Sequence, residues 1–252
     1  MLKTSLERER AKYKQNKNPK ISFPIATYNR ERILIERTLP TILSQSYANT
    51  EVVIVGDGVD SQREKYIRNN INDNRVRFYN LRRRTRYPED PFSFWCVAGY
   101  RARNVAARLA TGDFHWWISD DDEIATDGVA RFLDAAEEDN YSSEVYSGDI
   151  QNADGSVLTS SIASKDHKLD IDLTGIPALI TKSYILKILK FNGFSYQNTV
   201  NKPCDYDLYA RLIALNVKFK YTPSILAKIN PALPEFGLHG SRAYVKHPEL
   251  FR

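Results

Sequence analysis

The chain has 252 residues, of which 42% are hydrophobic and 27% are charged, a composition typical of a soluble globular protein with a sizeable core. No apolar run is long enough to cross a bilayer and the N-terminus lacks the apolar stretch of a secretion signal, so we expect a cytoplasmic protein, with peripheral contact to the inner face of a membrane left open. The net charge of +5 favours anionic partners such as nucleotides or acidic glycans but is too small to indicate nucleic acid.

Residues 1–19 are polar and mixed in charge, and we expect an exposed helical or mobile arm there. From residue 20 onward, patterns typical of strands and helices alternate, which predicts a parallel sheet with helical crossovers. The predicted strands of the first half are Ile21–Tyr28, Glu51–Gly58, Val76–Asn80 and Asp113–Ser119. The predicted helices are Glu31–Gln45, which Pro40 should kink or divide, Ser61–Ile71 and Gly99–Ala110, the last preceded by a long loop.

The second half is less regular. Strands are predicted at Glu144–Ile150, Ser156–Ile162 and Ile176–Thr181, with Asp154-Gly155 as a hairpin turn between the first two. Helices are predicted at Ser183–Lys190 and 203–215, followed by a strand to about Ile229 and a loop-rich tail. No internal repeat or low-complexity linker divides the chain, so we expect one domain. Cys96 and Cys204 lie far apart in sequence and are most simply free thiols.

Three polar clusters follow predicted strands: TYNR (27–30), GDGVD (56–60) and SDDDE (119–123). Ligands gather at the carboxyl ends of parallel strands, so this coincidence predicts a binding site. Asp120 and Asp122 project to the same side of an extended chain, where two carboxylates about 4 Å apart would repel by about 4 kcal/mol at an effective dielectric of about 20. A hard divalent cation would relieve that repulsion. A solvated acidic turn is the alternative.

Five segments in order resemble glycosyltransferase family 2, whose members have the GT-A fold: SFPIATYNR, EVVIVGDGVD, ARNVAARLATGDF, SDDDE and CDYDLYARL. The resemblance covers roughly Lys20–Leu215. It implies an α/β fold with a Rossmann-like, mostly parallel central sheet flanked by helices and a smaller acceptor-side sheet. Residues 20–123 would form the nucleotide-sugar-binding half and residues 124–252 the acceptor-binding half of a single domain.

The resemblance also implies the residues that bind a nucleotide-sugar donor, with UDP favoured and GDP left open. Thr27, Tyr28 and Arg30 would flank the nucleotide, and Asp57 would accept a hydrogen bond from an imide N–H of the base, although it could instead only form a glycine turn. The family usually has an acid at the position of Gly56, so only the second acid of that pair is present. Arg103, bordering the predicted buried stripe of its helix, would lie near the donor or snorkel over apolar surface.

For the metal, the resemblance implies Mn²⁺ or Mg²⁺ at a DXD motif, with Asp122 as its first ligand. Asp120 would contact the ribose or a metal-bound water, Asp121 would lie on the donor side, and Glu123 would be a solvated or capping acid. His239 in the tail would complete the metal site, or would be an ordinary surface histidine.

Asp205 matches the general base of inverting family members, because an acceptor hydroxyl must lose its proton as it attacks the anomeric carbon. The alternative is that Asp205 caps its helix. The usual acid before this position is Cys204 here. Gly175 would allow a sugar to approach closely or would form a simple turn. The arginines of the loop LRRRTRYPED would hold an anionic acceptor or a membrane surface, or would be solvated.

The function these residues imply is metal-dependent transfer of a sugar from a nucleotide diphosphate to a hydroxyl of a glycan or glycoconjugate, with inversion. One rival is a sugar-phosphate nucleotidyltransferase, but TYNRER lacks the glycine-rich loop expected after the first strand. The other rival is a non-catalytic nucleotide-sugar-binding module. Asp122 and Asp205 argue against that rival, whereas Gly56 and Cys204 leave room for it.

Overall fold

A computed structural model of the protein describes residues 2–159, 178–197 and 203–229. The first half contains four parallel strands in the order β3-β2-β1-β4: β1 Ile21–Thr27, β2 Thr50–Gly56, β3 Val76–Asn80 and β4 Phe114–Trp117. Every residue of β2 and β4 is buried, as expected for strands covered on both faces. The carboxyl ends of these four strands meet at one edge of the sheet, as predicted.

The helices follow the predicted pattern with three differences, of which one is an unpredicted helix over Gly128–Glu138. Their bounds are α1 Leu2–Lys12, α2 Glu31–Ile33, α3 Leu39–Leu43, α4 Ser61–Asn70, α5 Pro91–Val97, α6 Tyr100–Leu109, α7 Gly128–Glu138, α8 Ser183–Ile188 and α9 Cys204–Ala214. A π-helical turn, Leu34–Thr38, joins α2 to α3 immediately before Pro40 and divides the predicted helix at that point. The predicted long loop before α6 contains α5, which Asp90 caps by accepting a hydrogen bond from the Ser93 N–H at 2.7 Å.

The strands of the second half extend the same sheet, so the expected smaller acceptor-side sheet is not separate. They are β5 Asp122–Ile124, β6 Val145–Asn152, β7 Val157–Leu158, β8 Leu179–Lys182 and β9 Phe219–Ile229. The sheet continues from β4 as β8-β6-β9-β5, and β8 is antiparallel to β4. Strands β6 and β7 form the predicted hairpin around Gly155, whose φ of +84° suits glycine.

The N-terminal arm was predicted to be exposed and either helical or mobile. It is helical, but the prediction that it lies outside the core was wrong, because α1 packs into the core through Leu6. Leu6 is 1% exposed and lies in one apolar cluster with residues of α8 and α9. Arg10 donates two hydrogen bonds to the Glu144 carboxylate, at 3.0 and 2.6 Å. The sequence hides this contact because a single leucine carries the apolar burial of an otherwise charged helix.

Two neighbouring tryptophans of β4 show how both faces of the sheet are covered. Side chains alternate along a strand, so Trp116 and Trp117 point to opposite faces. Trp116 packs against Phe23 and Phe132, whereas Trp117 packs against Phe191 in the cluster that includes α9. The second face therefore anchors α9. Within the described part of the chain, no helix combines the length and the apolar character that crossing a membrane requires.

Candidate functional site

The aspartate triplet lies between the end of β4 and the start of β5, and one arginine neutralises part of it. Asp120 and Asp122 are buried, at 7% and 6% exposure, and Asp121 is half-buried. Nη1 of Arg30, which follows β1, lies 2.7 Å from Asp121 Oδ2 and 3.4 Å from Asp120 Oδ1. The structure thus brings together Arg30 and the triplet, as the sequence predicted, and excludes the alternative of a fully solvated acidic turn.

The helical segment after Arg30 holds the backbone of the triplet in place. Arg37 donates a hydrogen bond to the Asp121 carbonyl at 2.5 Å, and its Nε lies 3.6 Å from Glu123. The Thr38 hydroxyl donates to the Asp120 carbonyl at 3.1 Å. Sequence reasoning missed these supporting residues, because contacts from Arg37 and Thr38 to backbone more than 80 residues away leave no local pattern.

The electrostatics of the triplet fit an added cation. Burial and the neighbouring Asp121 raise the pKa of Asp122 to about 8, and burial likewise raises the pKa of Asp120 against the influence of Arg30. For Arg30, burial alone would lower the pKa, but Asp121 and Asp120 raise it overall. A buried carboxylate beside a second one provides the oxygen ligands that Mg²⁺ and Mn²⁺ prefer.

The described residues do not by themselves complete a metal site. Across 2–159, 178–197 and 203–229, no group of three or more histidines, cysteines or acids is arranged to hold a metal ion. A cation at Asp122 would therefore need further ligands, such as a diphosphate or water. His239 and Gly175, which the sequence singled out, lie outside the described residues.

The ends of β1 and β2 form the other side of this edge. The Asp57 N–H donates to the Thr27 carbonyl at 2.8 Å, which joins the two strand ends. The guanidinium of Arg84, in the loop after β3, lies 3.8 Å from the ring centroid of Tyr28. The loop arginines at 82, 83, 84 and 86 are all exposed, in keeping with solvated charge, but Arg84 also packs on a predicted donor residue.

The glycine at position 56 has a local explanation. A Cβ on Gly56 would lie 2.8 Å from Oδ1 of Asn80, and that oxygen accepts a hydrogen bond from the Val59 N–H at 3.0 Å. The Asn80 amide also donates to the Val59 carbonyl at 2.9 Å. The space that a side chain at position 56 would need is therefore taken by an asparagine that fixes the turn after β2.

A second group of interacting side chains surrounds Asp205. Helix α9 begins at Cys204 after Pro203, so Asp205 lies inside the first turn and not at the N-cap position. Burial raises the pKa of Asp205, and the nearby Arg103 partly offsets this. Burial also raises the pKa of Cys204 to about 12, so this thiol stays neutral where the family usually has an acid. Cys96 and Cys204 are both free and buried, as predicted.

Helix α6 brings Arg103 to this second group. Arg103 is half-buried, and its guanidinium lies 5.7 Å from the ring centroid of Phe191. Its charge also acts on Asp205, in the first turn of α9. The next residue of α6, Asn104, donates to the Phe191 carbonyl and accepts from the Phe191 N–H, both at 2.9 Å. The segment after α8 therefore covers this side of α6, which helical periodicity alone cannot reveal.

Comparison with known proteins gives the context for this geometry. The family model described as glycosyl transferase family 2 matches residues 97–196, a stretch that includes Arg103 and the triplet. The chain is also 33% identical over 118 residues to the putative colanic acid biosynthesis glycosyl transferase WcaA of Escherichia coli (strain K12). These matches show that part of the chain is similar to glycosyltransferase family 2. The match to WcaA covers 46% of this chain and 37% of WcaA, so the chain spans well under half the length of that relative.

Solved structures confirm the fold of the chain. It superposes on Staphylococcus aureus TarS residues 1–349 in complex with UDP with a TM-score of 0.62 at 18% identity, covering 84% of this chain and 60% of TarS 1–349. The mannosyltransferase PcManGT from Pyrobaculum calidifontis, in complex with GDP-Man and Mn²⁺, gives a TM-score of 0.60 at 14% identity, covering 93% of this chain and 65% of PcManGT. The GT-A fold expected from the sequence is therefore confirmed.

Proposed function

We propose that this protein transfers a sugar from a nucleotide-diphosphate donor to a hydroxyl of a glycan or glycoconjugate, with inversion at the anomeric carbon. The observation that carries the proposal is the aspartate triplet: Asp122 is a buried acid beside Asp121, and Arg30 lies 2.7 Å from the Asp121 carboxylate. A diphosphate with its cation would balance such a site. The structures of TarS 1–349 with UDP and of PcManGT with GDP-Man and Mn²⁺ support a nucleotide-sugar donor, and we favour UDP.

In this proposal, Asp122 and Asp120 hold Mn²⁺ or Mg²⁺, and the cation, when bound, supplies a Lewis acid that offsets charge on the departing diphosphate. His239 would be a further ligand. Thr27 and Tyr28 would bind the nucleotide side of the donor. Asp121 and Arg30 would face the donor as a pair, with the guanidinium adding positive charge next to the phosphates.

Asp205 would remove the proton from the acceptor hydroxyl as its oxygen attacks the anomeric carbon and the bond to the diphosphate breaks. A raised pKa suits a general base, because a more basic carboxylate takes a proton more readily. Arg103 would keep enough positive charge nearby for Asp205 to ionise. A single displacement of this kind needs no covalent intermediate on the enzyme.

The test combines binding with turnover. Thermal stabilisation by UDP and by GDP, each with and without Mn²⁺, identifies the nucleotide, and release of that nucleotide from a panel of donor sugars reports activity. We expect Mn²⁺-dependent stabilisation by UDP that is lost in Asp122→Asn and kept in the matched control Asp134→Asn, an exposed acid on α7. Stabilisation that is indifferent to metal, with no turnover of any donor, would instead support a non-catalytic binding module.

A further inference from the structure

The carboxylate of Asp57 is buried and accepts three hydrogen bonds from within the protein. Its Oδ1 accepts hydrogen bonds from the Thr85 N–H at 3.2 Å and the Thr85 hydroxyl at 2.5 Å, and its Oδ2 accepts one from the Tyr87 hydroxyl at 2.5 Å. Asp57 is 3% exposed. A base that approached from the binding edge would therefore meet the loop of residues 82–87 before it met this carboxylate. We call these three hydrogen bonds the Asp57 clamp.

Two further contacts hold the same loop against the sheet edge. A Cβ on Gly58 would lie 2.2 Å from the backbone nitrogen of Arg84, and Gly58 has a φ of +70°, so glycine is required where the loop crosses the turn after β2. At the other end, the Tyr87 hydroxyl accepts a hydrogen bond from the Gly99 N–H at 3.0 Å, directly before α6. The loop is therefore fixed at both ends and at the clamp.

The fixed loop sets the position of one exposed cation. Arg84 directly precedes the clamped residue Thr85, and its own backbone crosses the turn at Gly58. Its guanidinium lies 3.8 Å from the ring centroid of Tyr28 and 5.9 Å from that of Tyr87. Side chains of this length are normally free to move when exposed, and holding one costs rotamer entropy. The clamp reduces that cost by fixing the backbone from which Arg84 extends.

We propose that Asp57 is a positioning residue, which builds the nucleotide end of the site by clamping the 82–87 loop and does not itself accept a hydrogen bond from the base. This inference rests on the proposed function for its ligand, a nucleoside diphosphate. It reassigns a residue that the sequence placed in direct contact with the base. Replacing Asp57 should then weaken nucleotide binding because the loop is released. Removing the loop's donors, Thr85 and Tyr87, leaves the Asp57 carboxylate free for a base but also releases the loop, and it should weaken binding equally.

Hydrogen exchange of the ligand-free protein tests the clamp without any nucleotide. In Asp57→Asn and in the double variant Thr85→Val/Tyr87→Phe, the amide of residue 85 and its neighbours in the loop should exchange at least about 10-fold faster, because a hydrogen bond to a buried charge is lost. Arg86→Gln, which changes the charge of the loop but not the clamp, should exchange like the wild type. Unchanged exchange in both clamp variants would overturn the proposal.

Binding of UDP and of UDP methylated at the imide nitrogen, both with Mn²⁺, separates positioning from direct reading of the base. We expect Asp57→Asn and Thr85→Val/Tyr87→Phe each to weaken UDP at least about 10-fold, with no further loss when all three changes are combined. The preference for UDP over its methylated form should be the same in Asp57→Asn as in the wild type.

Two results would contradict positioning: a preference that disappears in Asp57→Asn, or a Thr85→Val/Tyr87→Phe protein that binds UDP as tightly as the wild type. Failure of the wild type to bind any nucleoside diphosphate would refute the proposed function instead, and the exchange experiment would still decide whether the clamp exists.

Discussion

Arg30 is the cation on which the triplet depends in the ligand-free protein, so replacing it with glutamine tests the electrostatics of the site. Removing one partner of a fully buried ion pair costs about 3–5 kcal/mol. The Arg30 side chain is 29% exposed, so water screens part of this interaction, and we expect Arg30→Gln to destabilise the protein by about 1–3 kcal/mol. For a chain of this size, 2 kcal/mol corresponds to a fall in Tm of about 4–8 °C.

The sign of the pH dependence follows from the same contacts. Without Arg30, which lowers it, the pKa of Asp120 rises further, so the folded state binds more protons than the unfolded state across the acidic to neutral range. The destabilisation should therefore grow as pH rises through that range. Mn²⁺ at pH 8 should raise the Tm of Arg30→Gln by more than it raises that of the wild type, because the cation replaces the missing charge.

Thermal unfolding followed by circular dichroism at several pH values, with and without Mn²⁺, measures both effects. Arg32→Gln is the matched control, since Arg32 is exposed on α2 and its guanidinium lies 5.8 Å from the ring centroid of Tyr66, away from the triplet. The control should stay within about 0.5 kcal/mol of the wild type. An Arg30→Gln protein as stable as this control at pH 8, or one that gains no more from Mn²⁺ than the wild type, would refute the reasoning.

Three other substitutions test separate parts of the account. Asp205→Asn should keep UDP affinity while turnover falls by about 10²–10⁴-fold, and wild-type kcat should rise with pH through a value above the usual aspartate range; equal transfer rates in the two proteins would remove Asp205 from the mechanism. His115 is 1% exposed, and burial lowers its pKa to about 4, so stability should fall by up to about 3 kcal/mol as pH drops from about 6.5 to 4. In His115→Phe, denaturant titrations should show a smaller loss of unfolding free energy between about pH 6.5 and 4. A loss equal to that of the wild type would contradict the role given to His115. Leu6→Ala should cost about 2–5 kcal/mol if α1 belongs to the core, whereas a cost below 1 kcal/mol would return the arm to the surface.

The parts of the fold that the sequence predicted well are those with local signals. Strand β3 was predicted at its observed bounds, and the buried runs around β1 and β2 were predicted to within two residues, because continuous apolar stretches between turn residues are typical of parallel strands. The proline in the segment from α2 to α3 marked a boundary for reasons of backbone geometry. Helix α5 was missed although Asp90 and Pro91 form a cap and a first-turn proline, since its aromatic residues were read as loop.

The site was predictable to the extent that its residues lie at strand ends. Arg30 and the triplet were placed together because parallel strands end at the same edge. The Asp57 clamp was not predicted from the sequence, since it depends on how the loop after β3 folds back over the end of β2. The docking of α1 and the contact of Asn104 with Phe191 likewise join segments distant in the chain, and no local pattern reports such pairings.

The central claim is that a cation-bound nucleoside diphosphate lies at the aspartate triplet. Crystals soaked with Mn²⁺ and UDP, with data collected at the manganese absorption edge, test it most directly. The account predicts an anomalous peak about 2.0–2.5 Å from an Asp122 carboxylate oxygen, bridged to the diphosphate, with Arg30 still beside Asp121. A nucleotide bound elsewhere on the protein, or one at this edge with no manganese near the triplet, would contradict it.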